Sequence, residues 1–288
     1  LPPRRSQSHQ EINQEAEGRR TDQMNRSIPA LLTRSSAKDP QKTLSGIEVV
    51  AIAYRKVKDE IQFIASKSET NALESALEIK LKDFFDLHSR EIRASNKVPD
   101  AKAGEIFVAP YEKSSAKAKL PELIAFFALP SDNTGDARKA GAALGRRFKG
   151  KGKSVYIAGA SATPFIEALI ISNYTWSEKG GPAPANPTFY LPESAIDEDS
   201  FYETKTIIEY LWRARDLIHT TSNIKTPAWV ASQVSKLAKS ISGLKVEIKS
   251  GNAIKEFGGL RAVGGSSKVH PPRFVTITYS PRKKGRAK

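Results

Sequence analysis

A chain of 288 residues with a formal charge of +15, 39 % apolar residues and no cysteine is long enough for about two domains. It is less apolar than a wholly globular protein, so part of its length is tail or linker. The lack of cysteine excludes disulfide scaffolds and thiolate chemistry; no stretch approaches the ~18 apolar residues of a membrane span, and the first thirty residues lack the apolar core of a signal peptide.

These bounds lead to the expectation of a soluble, cytoplasmic protein. The charge admits nucleic acid as a partner. The cations, among them Lys113, Lys117, Lys119, Arg146, Arg147, Lys149, Lys151 and Lys153, are scattered, without the interleaved aromatics of a stacking platform.

Residues 1–44, rich in Arg, Gln, Ser, Glu and Asn, show almost no apolar periodicity and are expected to be disordered. From Ile47 the texture changes. "IEVVAIAY" is a continuous β-branched apolar run, as in a strand buried on both faces. Leu73, Leu77, Leu81, Phe84 and Phe85 recur at helical spacing. "GEIFVAPY" (104–111) and "LIAFFALP" (123–130) are two further buried strands. "DNTGDARKAGAALGRRFKG" is a capped helix, with Asp136 in its first turn and Arg146, Arg147 and Lys149 in its last, which suits the helix dipole. "SVYIAG" (154–159) is a strand and "TPFIEALIISNY" a helix opened by Pro164. Strands alternating with helices predict an α/β domain with a mostly parallel sheet.

"SEKGGPAPANP" (177–187) is a Gly/Pro break and the expected domain boundary. Beyond it come a short strand in "TFYLPES", a long helix over 195–218, and a second helix opening at Thr226-Pro227. Then follow an alternating strand, "LKVEIKSG", and a short helix, "GNAIKEFGG", ended by glycine. The glycine-rich loop "GGLRAVGGSSKVHPPRF" (258–274) leads to a last strand at 275–279. The end, "PRKKGRAK", is a basic tail.

The chemistry-bearing residue types form no recognisable centre. The glycine-rich loop lacks G-x-G-x-x-G and precedes a strand, whereas a phosphate cradle follows a strand and opens a helix. "GRRFKGKGKS" (145–154) misses the P-loop pattern at Arg147 or at Gly152. The four histidines, His9, His88, His219 and His270, show no metal-ligand spacing. His219 reads as a helix-terminal histidine, and "ESAIDEDS" (193–200) as an acidic helix start. No G-x-S-x-G elbow is present. No catalytic or metal-ligating residue can be assigned from motifs.

Two segments carry a resemblance. "RDLIHTTSNIKTP" (215–227) resembles the opening of the catalytic domain in the leucyl aminopeptidase (cytosol aminopeptidase) family. "FGGLRAVGGSSKVHPPRFVTITY" (257–279) is similar to that family's glycine-rich loop, P-P-R and strand. "ALIISNYTWSEK" (168–179) is similar to the end of its N-terminal domain. The likeness is good over about 155–280, weakens upstream and is absent before 45. His219, Thr221, Phe257 and Ser266 depart from the family pattern, and one extra residue precedes Pro271-Pro272, so the member is divergent.

The resemblance implies a macro-domain-like N-terminal α/β domain (45–185), then a connecting helix and the first part of an α/β metallopeptidase catalytic domain (186–280), between a disordered head (1–44) and a basic tail (281–288). It also implies an aminopeptidase that releases N-terminal residues from peptides with two divalent metal ions, Mn²⁺ or Zn²⁺, in a cytoplasmic homohexamer. In such a family, attack by a metal-bridged hydroxide is the implied chemistry. The family's Val-Gly-Lys-Gly and Asn-Thr-Asp-Ala-Glu-Gly-Arg segments, which carry its ligands and catalytic residues, do not occur here. The expectation is therefore a fragment that binds no metal and is inactive alone. The alternative expectation is a non-catalytic basic module for nucleic acid or oligomer assembly.

Overall fold

The computed structural model describes residues 30–34, 43–93, 100–112, 121–176 and 185–280. The chain divides into two compact units, Leu1–Ala214 and Arg215–Lys288.

The first unit is built on one mixed sheet. Its strands are β1 (Ala30–Arg34), β2 (Val49–Val57), β3 (Glu60–Phe63), β4 (Ile106–Pro110), β5 (Leu123–Ala128), β6 (Ser154–Ala158) and β7 (Thr188–Pro192), in the order β1-β7-β6-β2-β5-β4, with β3 paired to the far end of β2. β1, β7, β6, β2 and β5 run parallel, with Val49 aligned to both Leu123 and Val155. β4 on β5 and β3 on β2 are antiparallel.

The apolar run of β2 is continuous because both faces of the sheet are covered. Val49, Ala51 and Ala53 pack into one core, and Val50, Ile52 and Tyr54 into the other. The first core is closed by α3 (Thr134–Phe148), α4 (Thr163–Ile171), and Ile208 and Trp212 of α5 (Glu198–His219). The second is closed by α1 (Lys67–Leu77) and α2 (Leu81–Arg93), through Leu73, Leu77, Leu81 and Phe85.

The helical periodicity over 73–85 resolves into two helices. Glu78 takes a left-handed conformation (φ 55°) and ends α1. Glu74 Oε1 accepts from the Leu81 amide at 2.9 Å, supplying a partner to one of the free N–H groups at the start of α2. The expected cap of α3 is present: Asn133 Oδ1 accepts from the Asp136 amide at 2.8 Å. Its middle is shaped by Gly141 and Gly145. A Cβ at either would overlap the Phe165 or Leu169 carbonyl of α4, so the two glycines set how closely α3 and α4 approach.

Two expectations are corrected here. The head was expected to be disordered through residue 44, yet Ala30–Arg34 pairs in parallel with Thr188–Pro192, and Thr43 and Leu44 are buried. An open edge on β7 lets a short apolar run satisfy its backbone groups by pairing. The rest of the head and the tail 281–288 lie outside the described residues. The Gly/Pro break was expected to end the first domain at 185, yet β7, which follows it, joins the same sheet as β6. The division instead falls inside α5, at Ala214/Arg215.

In the second unit, α6 (Pro227–Lys239) starts from Thr226, whose Oγ1 accepts from the Trp229 amide at 3.2 Å. It packs on an antiparallel ribbon of β8 (Leu244–Ser250) and β9 (Arg273–Tyr279). Between the strands lie a 3₁₀ turn (Gly251–Ile254) and α7 (Gly258–Gly264). The short helix expected in "GNAIKEFGG" is therefore only the 3₁₀ turn, and the first glycines of the expected loop open a helix. Phe257 precedes α7 and stacks on Phe274 of β9 with ring centres 4.6 Å apart and planes 13° from parallel. That contact anchors the start of α7 on the ribbon. Two glycines cost only about 1 kcal/mol each in a helix.

Candidate functional site

The second unit holds an open cleft of about 470 Å³, within the ~300–1,000 Å³ of small-molecule sites. Its walls are Gly251, Ile254 and Gly258 on one segment, Arg261, Ala262 and Gly265 along α7, and Pro271 and Pro272 before β9. Arg261 is the only charged side chain in that lining. Position 264 has no room for a Cβ, because Pro272 occupies the space. The cleft thus joins the glycine-rich segment to the Pro-Pro-Arg turn, two features singled out in the sequence. They supply shape and one cation, but no nucleophile or general base.

Among the described residues the histidines do not converge into a recognisable centre. His88 lies against Phe84 of α2 at 4.3 Å between ring centres. His219 is the last residue of α5. The His270 amide donates to Ser267 Oγ at 3.0 Å. His9 lies outside the described residues. Among the described residues no three His, Cys, Asp or Glu side chains stand close enough to hold a metal ion. The donor set that two divalent metals require does not fit these residues, and no step through a metal is derived from them.

The other sequence candidates have roles in the fold. Asp197 Oδ1 accepts from the Ser200 amide at 2.9 Å. That bond holds its carboxyl below the usual carboxylate range, so the acidic stretch 193–200 includes a helix cap. In "GRRFKGKGKS", Gly150 and Gly152 take left-handed φ of 73° and 62° and turn the chain from α3 into β6. Lys149 Nζ donates to the Tyr174 carbonyl at 2.6 Å, and burial lowers its pKa. Lys153 Nζ donates to Glu48 Oε1 at 2.6 Å. These two lysines of the P-loop-like segment are engaged in holding the fold. In "RDLIHTTSNIKTP", Thr220 Oγ1 donates to the Asp216 carbonyl at 2.7 Å and Lys225 Nζ to the Leu217 carbonyl at 2.9 Å. That stretch forms the end of α5 and its turn into α6.

Two polar networks had no sequence signal. Glu48 accepts from Lys153 Nζ and, through Oε2, from the Ser154 amide at 2.9 Å, while Glu122 stands 3.5 Å from Lys153. Glu69 Oε1 accepts from the Tyr156 hydroxyl at 3.1 Å. The Glu48–Lys153 and Glu69–Tyr156 partners lie 105 and 87 residues apart, and only the strand order brings them together.

The sequence model of the cytosol aminopeptidase family's catalytic domain matches residues 212–288. A probable cytosol aminopeptidase of Pseudomonas paraeruginosa is 30 % identical over 139 residues, covering 45 % of this chain and 28 % of the relative. The cytosol aminopeptidase of Pseudomonas aeruginosa is 28 % identical over 138 residues with the same coverage. Among solved structures, a mutant of tomato leucine aminopeptidase superposes with a TM-score of 0.64 at 15 % identity, covering 90 % of this chain and 52 % of its own. The bottromycin maturation enzyme BotP, solved in complex with Mn, gives 0.56 at 22 %, covering 82 % and 46 %.

The structural likenesses carry the fold, a mixed α/β architecture with a parallel-strand sheet. The matches span under a third of the curated relatives and about half of the solved chains. Over residues 212–288 the chain is similar to the catalytic domain of the cytosol aminopeptidase family, and it resembles curated members of that family over part of their length.

Proposed function

We propose that this chain supplies the N-terminal α/β domain, the connecting helix and the opening of the catalytic domain of a metalloaminopeptidase, which releases N-terminal residues from peptides. The observation that carries the reading is the family match over 212–288, which takes in the glycine-rich segment and the Pro-Pro-Arg turn at the cleft. Two divalent metal ions, Mn²⁺ or Zn²⁺, belong to the complete enzyme, and their ligands lie outside this chain. The complete enzyme works as a cytoplasmic homohexamer on peptide substrates. Here the cleft-lining residues act as scaffold, holding the entry to the catalytic sheet in shape.

The purified chain, given an aminoacyl-anilide with Mn²⁺ or Zn²⁺, is expected to give no turnover above buffer. Turnover that co-purifies with the chain, free of host peptidase, would overturn the assignment of the ligands elsewhere.

A second reading rests on the exposed cations of α3 and its exit, Arg138, Lys139, Arg146, Arg147 and Lys151, which suit a polyanion. Arg138 lies 3.7 Å from Glu167. A nucleic-acid gel shift that survives moderate salt and weakens when Arg146 and Arg147 are changed to Gln supports this reading. A shift that vanishes at modest salt leaves only nonspecific electrostatics.

A further inference from the structure

We draw no further inference here: the strongest candidate, the carboxyl ends of β2 and β5, where Arg55 has a buried Nε with no hydrogen-bond partner close to the turn that leads into α3, amounts to a helix N-terminus beside one incompletely buried arginine, and no second observation among the described residues points to a ligand there.

Discussion

The Tyr156 hydroxyl donates to Glu69 Oε1 across 3.1 Å, tying the middle of β6 to the first turn of α1. Burial raises the Glu69 carboxyl above its ordinary 4.5, and the Tyr156 bond offsets part of that rise. Burial and the neighbouring carboxylate push the Tyr156 hydroxyl up in turn. A carboxyl raised in the folded state binds its proton more tightly there than in the unfolded chain. Its stabilisation is therefore complete below 4.5 and is lost as pH rises through the raised folded value. Glu69→Gln keeps an acceptor for Tyr156 and removes the charge. The variant is expected to be more stable than the native chain at pH 7, with the difference closing as pH falls toward 4. Urea unfolding across that range checks this, and a constant difference would contradict it.

Glu48 behaves in the opposite sense. Burial alone would raise its carboxyl, but the bonds from Lys153 and the Ser154 amide outweigh it and lower it below 4.5. The stability it contributes is present above 4.5 and lost as pH falls through the lowered folded value. Lys153→Met is expected to cost about 1 kcal/mol or less at pH 7, because both partners are about a third exposed. The cost should shrink further in acid. Equal losses at neutral and acid pH would show that the lysine acts through packing.

Gly141 and Gly145 test the α3–α4 contact. Alanine at either forces a Cβ into the α4 backbone or the Ser172 hydroxyl, and is expected to cost about 1–3 kcal/mol. Gly258→Ala in α7 is the contrast. No atom lies within 4 Å of the added Cβ, so the change is expected to be neutral or to stabilise by about 0.4–1 kcal/mol. Denaturant midpoints for the three variants give the ordering, and a Gly141→Ala protein as stable as the native one removes the claim.

Thr226 caps α6 through the Trp229 amide. Thr226→Ala is expected to lower stability by about 1 kcal/mol, while Thr226→Ser retains the native value to within a few tenths. Calorimetry on both variants separates the lost hydroxyl bond from a change in packing.

The sequence carries the local part of this fold. β2 and β5 are continuous apolar runs because both of their faces are buried, and α3 announces itself through Asn133, Asp136 and its basic end. Relations between distant segments leave no such trace. Nothing in "SEKGGPAPANP" shows that Thr188–Pro192 returns to the first sheet, since a Gly/Pro stretch reads alike within a domain and between domains. Ala30–Arg34 is a strand only because β7 offers an edge. The glycines of 258–265 read as loop by composition, and Phe257 on Phe274 makes part of them helical. At the cleft, the glycine-rich segment and Pro271-Pro272 were visible as a motif. Their shared wall was not, because it depends on how α7 folds back toward the turn before β9.

The family reading is tested most directly by exchange. The stretch of the Pseudomonas aeruginosa cytosol aminopeptidase that corresponds to residues 212–280 is replaced by those residues of this chain, and release of p-nitroaniline from leucine p-nitroanilide is followed with and without Mn²⁺. The account predicts Mn²⁺-stimulated turnover, because the exchanged residues are scaffold and the ligands stay with the host enzyme. A chimera that folds and binds metal yet releases no product would contradict it.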